Sequence, residues 1–241
     1  MQIEGRNPVL EALQSKRSFK SIKIQEGITV DDKIKRILGL ARSKKIYIEE
    51  MPRKKLDKLS ETSSHQGVIA MVRDKTTKNF SELLKLLDER KEVPFLIYIR
   101  EALYEFNLGA IIRTSECAGI QGVIVPPNRD ITSQVVRASM GASEHIQIVK
   151  GSLFQVIKEA QENGIRVVGI ERGGDTELYK SDLKGPIMLI IGGEDKSLSG
   201  EVSNKVDSVV SIPMKGKVNS LNMSVAAAIV IYEKVRQESK N

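Results

Sequence analysis

The sequence has few of the residues that build covalent and metal crosslinks. Its 241 residues include one cysteine, Cys117, and two histidines, His65 and His145, which lie far apart in the chain. A single cysteine excludes an intrachain disulfide, and without a Cys and His cluster the chain lacks the usual structural zinc site. We therefore expect no metal in this protein.

Long apolar runs and aromatic residues are also scarce. No segment approaches the roughly 18 consecutive apolar residues of a membrane span. Residues 1–6 lack the basic and then apolar order of a secretory signal. The sequence therefore predicts a cytoplasmic protein that does not enter a membrane. With five Phe, five Tyr and no Trp, it offers few side chains on which unpaired bases stack.

The positive charge is concentrated in the first third of the chain. The formal net charge is +7, and residues 1–75 carry all of it, with 17 Lys and Arg against 10 Asp and Glu. A basic segment joined to a neutral one suggests that the first segment binds a polyanion. A lysine-rich solvated surface, as in thermophilic proteins, explains the charge alone equally well.

The order of the hydrophobic patterns predicts two domains. In the first, Asn7 as N-cap and Pro8 at the first helical position begin a helix. The strands predicted for this domain are 22–24, 46–48 and 67–72. We place a small, basic α/β domain at residues 1–75, a linker and connecting helix at 76–90, and a second domain at 91–241.

Residues 91–241 alternate short apolar strands with helices. The predicted strands are 95–99, 122–125, 146–149, 166–170, 187–191 and 209–212. The predicted helices are 107–118, 131–138, 153–163 and 222–236. Strands that are apolar throughout predict an α/β fold whose parallel sheet is covered on both faces. Ligands of such sheets bind beyond the carboxyl ends of the strands.

The common signatures of nucleotide and hydrolase sites are absent. The chain has no G-x-G-x-x-G after a strand, no P-loop and no G-x-S-x-G elbow. Three polar clusters at strand ends remain as candidates for the site. They are N-L-G-A-I-I-R-T from Asn107, I-I-G-G-E-D-K-S from Ile190, and I-P-M-K-G-K-V-N-S-L-N-M-S from Ile212.

Each cluster alone also has a purely structural interpretation. Asn107 stands where a helix N-cap belongs, and Arg113 can extend to the surface from an apolar helix. The Gly192–Gly193 pair lets the backbone approach a ligand, but a turn capped by Asp195 or Ser197 explains it nearly as well. Helix caps also account for parts of the third cluster, yet not for so much turn chemistry in one loop.

Taken together and in this order, the clusters resemble the three motifs of the SpoU-type (TrmH-like) ribose methyltransferases of the SPOUT superfamily. The motifs span Asn107 to Ala226. Two further segments, Gly5–Leu13 and His65–Val68, are similar to the family's N-terminal substrate-binding domain. The resemblance thus covers nearly the whole chain, and its layout is most similar to members that methylate a guanosine ribose of large-subunit (23S) rRNA.

The resemblance implies a fold, a cofactor and partners. The second domain would carry a deep trefoil knot that binds S-adenosylmethionine, and the first would be a small α/β domain like the ribosomal protein L30e. A homodimer would form beside the knot, and structured RNA, most plainly rRNA, would be the substrate. The expected reaction is methyl transfer to a ribose 2'-hydroxyl.

The resemblance also assigns roles to residues. Those at catalytic or substrate positions are Asn107, Arg113, Glu194, Ser220 and Asn222. Those at cofactor-binding positions are Gly192, Gly193, Ile212, Met214 and Leu221. Because a guanidinium stays protonated and is a poor base, we expect Arg113 to hold a phosphate and polarise the ribose hydroxyl.

The chain departs from the family pattern in two places. Tyr104-Glu105-Phe106 stands where the family usually has Asp-Pro and a polar residue, and Asp195 and Ser197 replace frequent glycines. These changes bear on the target nucleotide more than on the reaction. Three alternatives stay open: a tRNA substrate, a resistance-type methylase acting on an adenosine ribose, and a non-catalytic RNA-binding or ribosome-assembly factor.

Overall fold

The computed structural model describes residues 1–75, 78–102, 104–192, 198, 200–218 and 220–239. The strands are β1 (Gln2–Glu4), β2 (Phe19–Gln25), β3 (Ile48–Met51), β4 (Val68–Val72), β5 (Phe95–Ile99), β6 (Gly122–Val125), β7 (Gln147–Lys150), β8 (Arg166–Ile170), β9 (Thr176–Glu177), β10 (Ile187–Ile191) and β11 (Ser208–Ser211). The α-helices are α1 (Arg6–Gln14), α2 (Asp32–Ser43), α3 (Arg53–Leu59), α4 (Phe80–Arg90), α5 (Glu105–Cys117), α6 (Ser133–Ala138), α7 (Leu153–Glu162), α8 (Gly200–Ser203) and α9 (Met223–Glu238).

The chain forms two compact units. The first joins Met1–Thr76 to Asp130–His145, and the second joins Thr77–Arg129 to Ile146–Asn241. The first unit contains a mixed sheet in the order β1-β4-β2-β3, in which β2 and β3 are parallel and the other pairs antiparallel. Helices α1 and α2 pack together and bury the apolar stripe that the sequence pattern predicts, including Ile34, Ile37 and Ala41.

A segment remote in sequence completes the first unit. The Ser133 hydroxyl donates to the Gln2 carbonyl at 2.8 Å, and its oxygen lies 2.6 Å from a Glu61 carboxylate oxygen. Arg137 donates to the Ser64 carbonyl, and Val136 joins the unit's apolar core. The ammonium of Lys75 donates to the carbonyls of Ser143 and Glu144 at 2.9 and 3.0 Å. Residues 130–145 are therefore packed against residues 1–76, although they follow β6 in the chain.

The second unit is built on a seven-stranded sheet in the order β7-β6-β5-β10-β8-β11-β9. All of its strand pairs are parallel. Central strand β10 is buried along its whole length and pairs in register with β5 on one side and β8 on the other. Burial of each aliphatic side chain contributes about 1.5–3 kcal/mol. The α/β fold with a parallel sheet and a small α/β companion is confirmed.

Some details differ from the sequence-based expectation. Strand β3 lies at Ile48–Met51 rather than at 46–48, and the three-residue β1 and two-residue β9 are too short for a periodic pattern to reveal. The knot depends on segments that include residues 193–197, 199 and 219, which lie outside the described residues, so it stays a prediction. No described helix is long and apolar enough to span a bilayer.

Candidate active site

The parallel sheet brings the three polar clusters to one edge. Helix α5 follows the carboxyl end of β5, Gly192 follows β10, and Ile212 follows β11. Because every strand pair of this sheet is parallel, these ends share one side of the sheet. The predicted site, beyond the strand ends, would therefore lie on this one side of the sheet.

A hydrogen bond joins the first and third clusters. The amide of Asn222 donates from Nδ2 to Oδ1 of Asn107 at 3.1 Å. The same Asn222 caps α9, because its Oδ1 accepts from the backbone N of Ser224 at 2.8 Å and from the Ser224 hydroxyl at 2.6 Å. Helices α5 and α9 also pack together. One side chain thus fixes the start of α9 and ties it to α5.

Asn107 is not the N-cap that the sequence suggests. Helix α5 begins two residues earlier, at Glu105, with Tyr104 as N-cap and no side-chain cap hydrogen bond. Asn107 is consequently inside the first turn, where its amide oxygen accepts from Asn222. The prediction was wrong because local preference suggested a cap, whereas this side chain is used in a contact 115 residues away along the chain.

The other polar residues predicted for the site are exposed. Arg113 projects from α5 and has no hydrogen bond or ion pair to another described residue, and Ser220 is also exposed. The described contacts therefore do not include one between Arg113 and the two asparagines. Gly192 is partly buried at the end of β10. Gly193 and Glu194 lie outside the described residues.

The loop between β11 and α9 exposes apolar side chains. Ile212 is partly buried, whereas Met214 and Leu221 are each 38% exposed and Val218 is 72% exposed. Apolar side chains grouped on one loop are typical of a surface that covers a ligand. This loop and Gly192 lie at the same sheet edge, so together they offer backbone groups and an apolar surface to a flat, partly apolar molecule.

Sequence reasoning missed Glu171, which follows β8. Its carboxylate accepts from the Leu198 backbone N at 2.5 Å, and its own N donates to the Val210 carbonyl at 3.0 Å. Glu171 thus connects Leu198 to the ends of β8 and β11. Nearby, a Cβ on Gly174 would lie 2.8 Å from the Val209 carbonyl oxygen, so that position requires glycine. The run E-R-G-G directly after a buried strand was the signal available.

A cleft of about 470 Å³ opens at the carboxyl ends of β5 and β6. The residues that line it are Ile99, Arg100, Glu101, Ala102, Leu108, Val125, Pro126, Asn128 and Arg129. On β5, burial raises the pKa of Tyr98 to about 12, although Arg100 opposes the shift. The neutral phenol donates to the Gly151 carbonyl at 3.0 Å. Tyr98 is therefore a structural donor and not a base at neutral pH.

Comparison with known proteins agrees with the motifs. A family model described as the SpoU rRNA methylase family matches residues 94–232, and one described as RNA 2'-O ribose methyltransferase substrate binding matches residues 2–78. A Bacillus subtilis protein whose name places it among the TrmH family of tRNA/rRNA methyltransferases is 36% identical over 238 residues. That alignment covers 98% of this chain and 95% of the relative.

Solved structures show the same fold. The SpoU methyltransferase AviRb from Streptomyces viridochromogenes, in complex with AdoMet, has a TM-score of 0.82 at 24% identity. The match covers 100% of this chain and 91% of the AviRb chain. An AdoMet-bound rRNA methyltransferase from Sinorhizobium meliloti has a TM-score of 0.78 at 23% identity, and the match covers 98% of this chain and 86% of that protein. The A. aeolicus TrmH/SpoU tRNA modifying enzyme has a TM-score of 0.55 at 26% identity, and the match covers 66% of this chain and 84% of that enzyme.

The fold and the matched segments define a two-part RNA methyltransferase, with a substrate-binding unit and a parallel-sheet unit. The chain belongs to the SpoU rRNA methylase family and is an RNA 2'-O-ribose methyltransferase. The resemblance carried by the three motifs is thereby confirmed.

Proposed function

We propose that the methyl acceptor is the ribose 2'-hydroxyl of a guanosine in large-subunit (23S) rRNA. The observation that carries this proposal is the substrate-binding unit. The structure described as an rRNA methyltransferase covers 98% of this chain, whereas the one described as a tRNA modifying enzyme covers 66%. A chain that keeps the additional unit therefore fits a ribosomal target better than a tRNA.

We propose that residues 1–75 bind the RNA and residues 91–241 catalyse the transfer. Helix α3 supports this division, because it buries only Leu56 and exposes Lys54, Lys55 and Lys58. The acid within this helix, Asp57, lies 2.8 Å from His65 Nε2, so it is engaged inside the unit. The basic face of α3 is thus available to phosphates.

S-adenosylmethionine is the methyl donor, held at the loop from Ile212 to Leu221 and at the glycines after β10. The exposed apolar side chains of Met214 and Leu221 fit the adenine ring. Gly192, at the end of β10, has no Cβ that would keep a ligand from the backbone. Gly193 and Glu194 are assigned to this site by the family motif. When bound, the cofactor supplies a methyl group that is already electrophilic.

The protein must place the ribose oxygen in line with that methyl group and assist loss of its proton. Arg113, exposed and unpaired among the described residues, holds an RNA phosphate and polarises the hydroxyl. The Asn107–Asn222 pair keeps α5 and α9 in register, and Ser220 orients the ribose. Fixed helices limit the motion of Arg113, which lowers the entropy cost of alignment.

We also propose a homodimer. Val225 and Tyr232 are 46% and 49% exposed and lie seven residues apart, so they share one face of α9. Tyr104 and Phe106 are 65% and 64% exposed at the start of α5, the helix packed against α9. Light scattering tests this surface: Val225→Glu with Tyr232→Lys should give monomers, whereas an unchanged mass would place the dimer contact elsewhere.

Radiolabelled methyl transfer tests the proposed target. The purified protein is incubated with S-adenosylmethionine and with rRNA or tRNA from cells that lack it. We expect label in rRNA alone, in 2'-O-methylguanosine after nuclease digestion. Label in tRNA, or in another nucleotide, would contradict the proposed target. Calorimetry without RNA should show cofactor uptake, which a non-catalytic RNA-binding factor would not.

A further inference from the structure

Arg129 lines the cleft at the ends of β5 and β6, and one edge of its guanidinium has no partner among the described residues. Nε and Nη2 of Arg129 are buried and have no hydrogen-bond partner among the described residues. These two nitrogens form the edge of the guanidinium that donates two parallel hydrogen bonds. A buried donor left unpaired costs about 1–3 kcal/mol, so such an edge in a cleft calls for a ligand.

A ligand for this edge must present two adjacent acceptors. A phosphate, a carboxylate and the O6/N7 edge of guanine all do so. The other lining residues separate these possibilities. Arg100 and Glu101 also line this cleft, so their charges oppose each other and do not by themselves exclude an anion, but the Glu101 carboxylate can accept hydrogen bonds from amino and imino groups. Guanine carries such donors at N1 and N2, whereas a phosphate carries none.

The walls and the size of the cleft also favour a base. Ile99, Ala102, Leu108, Val125 and Pro126 supply apolar surface. The volume of about 470 Å³ lies in the range of small-molecule pockets, about 300–1,000 Å³, and exceeds what one phosphate needs. Enzymes that act on a single nucleotide commonly hold its extruded base between apolar side chains and read its polar edges.

The cleft is also placed where a target base is needed. Leu108 lines it and directly follows Asn107 on α5, so the cleft borders the helix that carries Asn107 and Arg113. A base in the cleft and its ribose beside Asn107 would belong to one nucleotide. The phosphate contact of that nucleotide is then left to Arg113.

We infer that this cleft binds the guanine base of the methylated nucleotide, with Arg129 donating to O6 and N7 and Glu101 accepting from N1 and N2. The inference rests on the proposed function for the reaction but concerns specificity. The Nε–Nη2 edge is enclosed in this structure, so the proposed contact requires the Arg129 side chain to rotate towards the base. Arg129 and Glu101 are then specificity residues, and neither touches the transferred methyl group.

Nucleotide binding tests this inference without catalysis. The full chain is titrated with GMP, AMP and 7-deaza-GMP, followed by ligand-observed NMR, since the three probes share one phosphate. We expect GMP to bind about tenfold more tightly than AMP, and 7-deaza-GMP, which lacks N7, to bind more weakly than GMP. Arg129→Lys keeps the charge but loses the bidentate donor geometry, and should weaken GMP binding by about five- to tenfold while leaving AMP binding unchanged.

Glu101→Gln should also reduce the preference for GMP, and Arg90→Lys, at the end of α4, is the matched control that should not. Equal binding of GMP and AMP, or an equal loss of both in Arg129→Lys, would overturn the inference in favour of a phosphate site. Absence of GMP binding would also overturn it. None of these outcomes depends on methyl transfer, so the proposed reaction can fail or succeed separately.

Discussion

The two units of this protein place their polar side chains differently. The first unit buries the carboxylate of Glu4 and surrounds it with donors from Gln2, Ser60, Glu61 and Thr62. The second keeps its central strand apolar and has its polar motifs beyond the strand ends, while its buried charges, Glu233 and Lys234, lie on α9. A closed polar network gives a rigid base for an exposed basic surface, whereas an exposed group such as Arg113 is accessible to reactants.

The largest effect should follow from removing the exposed guanidinium of the second unit. Arg113→Ala should lower the rate of methyl transfer by about 10²–10³-fold, because the enzyme loses a preorganised charge at the reacting oxygen. Cofactor affinity should be unchanged, since no cofactor contact is assigned to Arg113. Single-turnover kinetics and calorimetry measure the two quantities. Arg90→Ala is the control for loss of a surface arginine, and normal turnover in Arg113→Ala would remove that residue from the mechanism.

The buried carboxylate of the first unit should matter for stability instead. Glu4→Gln should lower the free energy of unfolding by about 1–3 kcal/mol, because several donors around this buried position lose a charged acceptor. Glu26→Gln, at an exposed position, is the matched control. Urea denaturation followed by circular dichroism gives the difference. A Glu4→Gln variant as stable as the control would show that the network adds no net stability.

The same carboxylate should make stability depend on pH. Burial alone would raise the pKa of Glu4, but hydrogen bonds from Ser60, Thr62 and the Glu61 backbone outweigh it and lower the pKa below 4.5. The folded state therefore holds this proton less tightly than the unfolded state. The contribution of the Glu4 carboxylate to the free energy of unfolding is fully present above pH 4.5 and disappears as pH falls through the lowered pKa. Thermal melts should converge for wild type and Glu4→Gln in acid; a constant gap would contradict this linkage.

A smaller effect should separate capping from alignment in the second unit. Asn222→Asp keeps the Oδ1 acceptor that caps α9 but cannot donate to Asn107. We expect stability within about 0.5 kcal/mol of wild type and methyl transfer about tenfold slower, because α5 and α9 lose their polar link. Asn222→Ala should lose the cap as well, about 1 kcal/mol. Equal rates for wild type and Asn222→Asp would limit Asn222 to a structural role.

The smallest effect concerns the basic face of α3. Replacing Lys54, Lys55 and Lys58 with Gln should weaken rRNA binding several-fold. The slope of log K against log salt concentration should become shallower by about 0.7–0.9 for each RNA phosphate that the variant no longer neutralises. Binding measured from about 50 to 200 mM salt gives this slope. The matched control replaces the exposed lysines Lys85, Lys158 and Lys180 of the second unit. If both triple variants behave alike, the division of labour between the units is wrong.

The positions of most strands and helices could be predicted from the sequence, because apolar runs such as Ile187–Ile191 are unbroken. The first residue of each helix was harder to predict. Asn7 looked like an N-cap, but α1 begins at Arg6 with Gly5 as its cap, at a φ of 94° that glycine tolerates. Pro8 is still acceptable in the first turn, where its missing N–H has no intrahelical partner.

The membership of residues 130–145 in the first unit could not be inferred from the sequence. It depends on contacts such as Ser133 with Gln2 and Arg137 with Ser64, which connect residues more than 70 positions apart. Local patterns contain no trace of such pairs. Deleting residues 1–75 would expose Val136, because the apolar side chains packed around it belong to that segment. Substitutions on α3 therefore test RNA binding more cleanly than truncation.

Ribose-methylation mapping of total RNA, in cells with and without this protein, tests whether the protein methylates a guanosine of 23S rRNA. We expect one 2'-O-methylguanosine of 23S rRNA to disappear when the protein is absent. Wild-type protein should restore it, and Arg113→Ala should not. An unchanged map across ribosomal and transfer RNA, or loss of a methyl group from another RNA, would contradict the account.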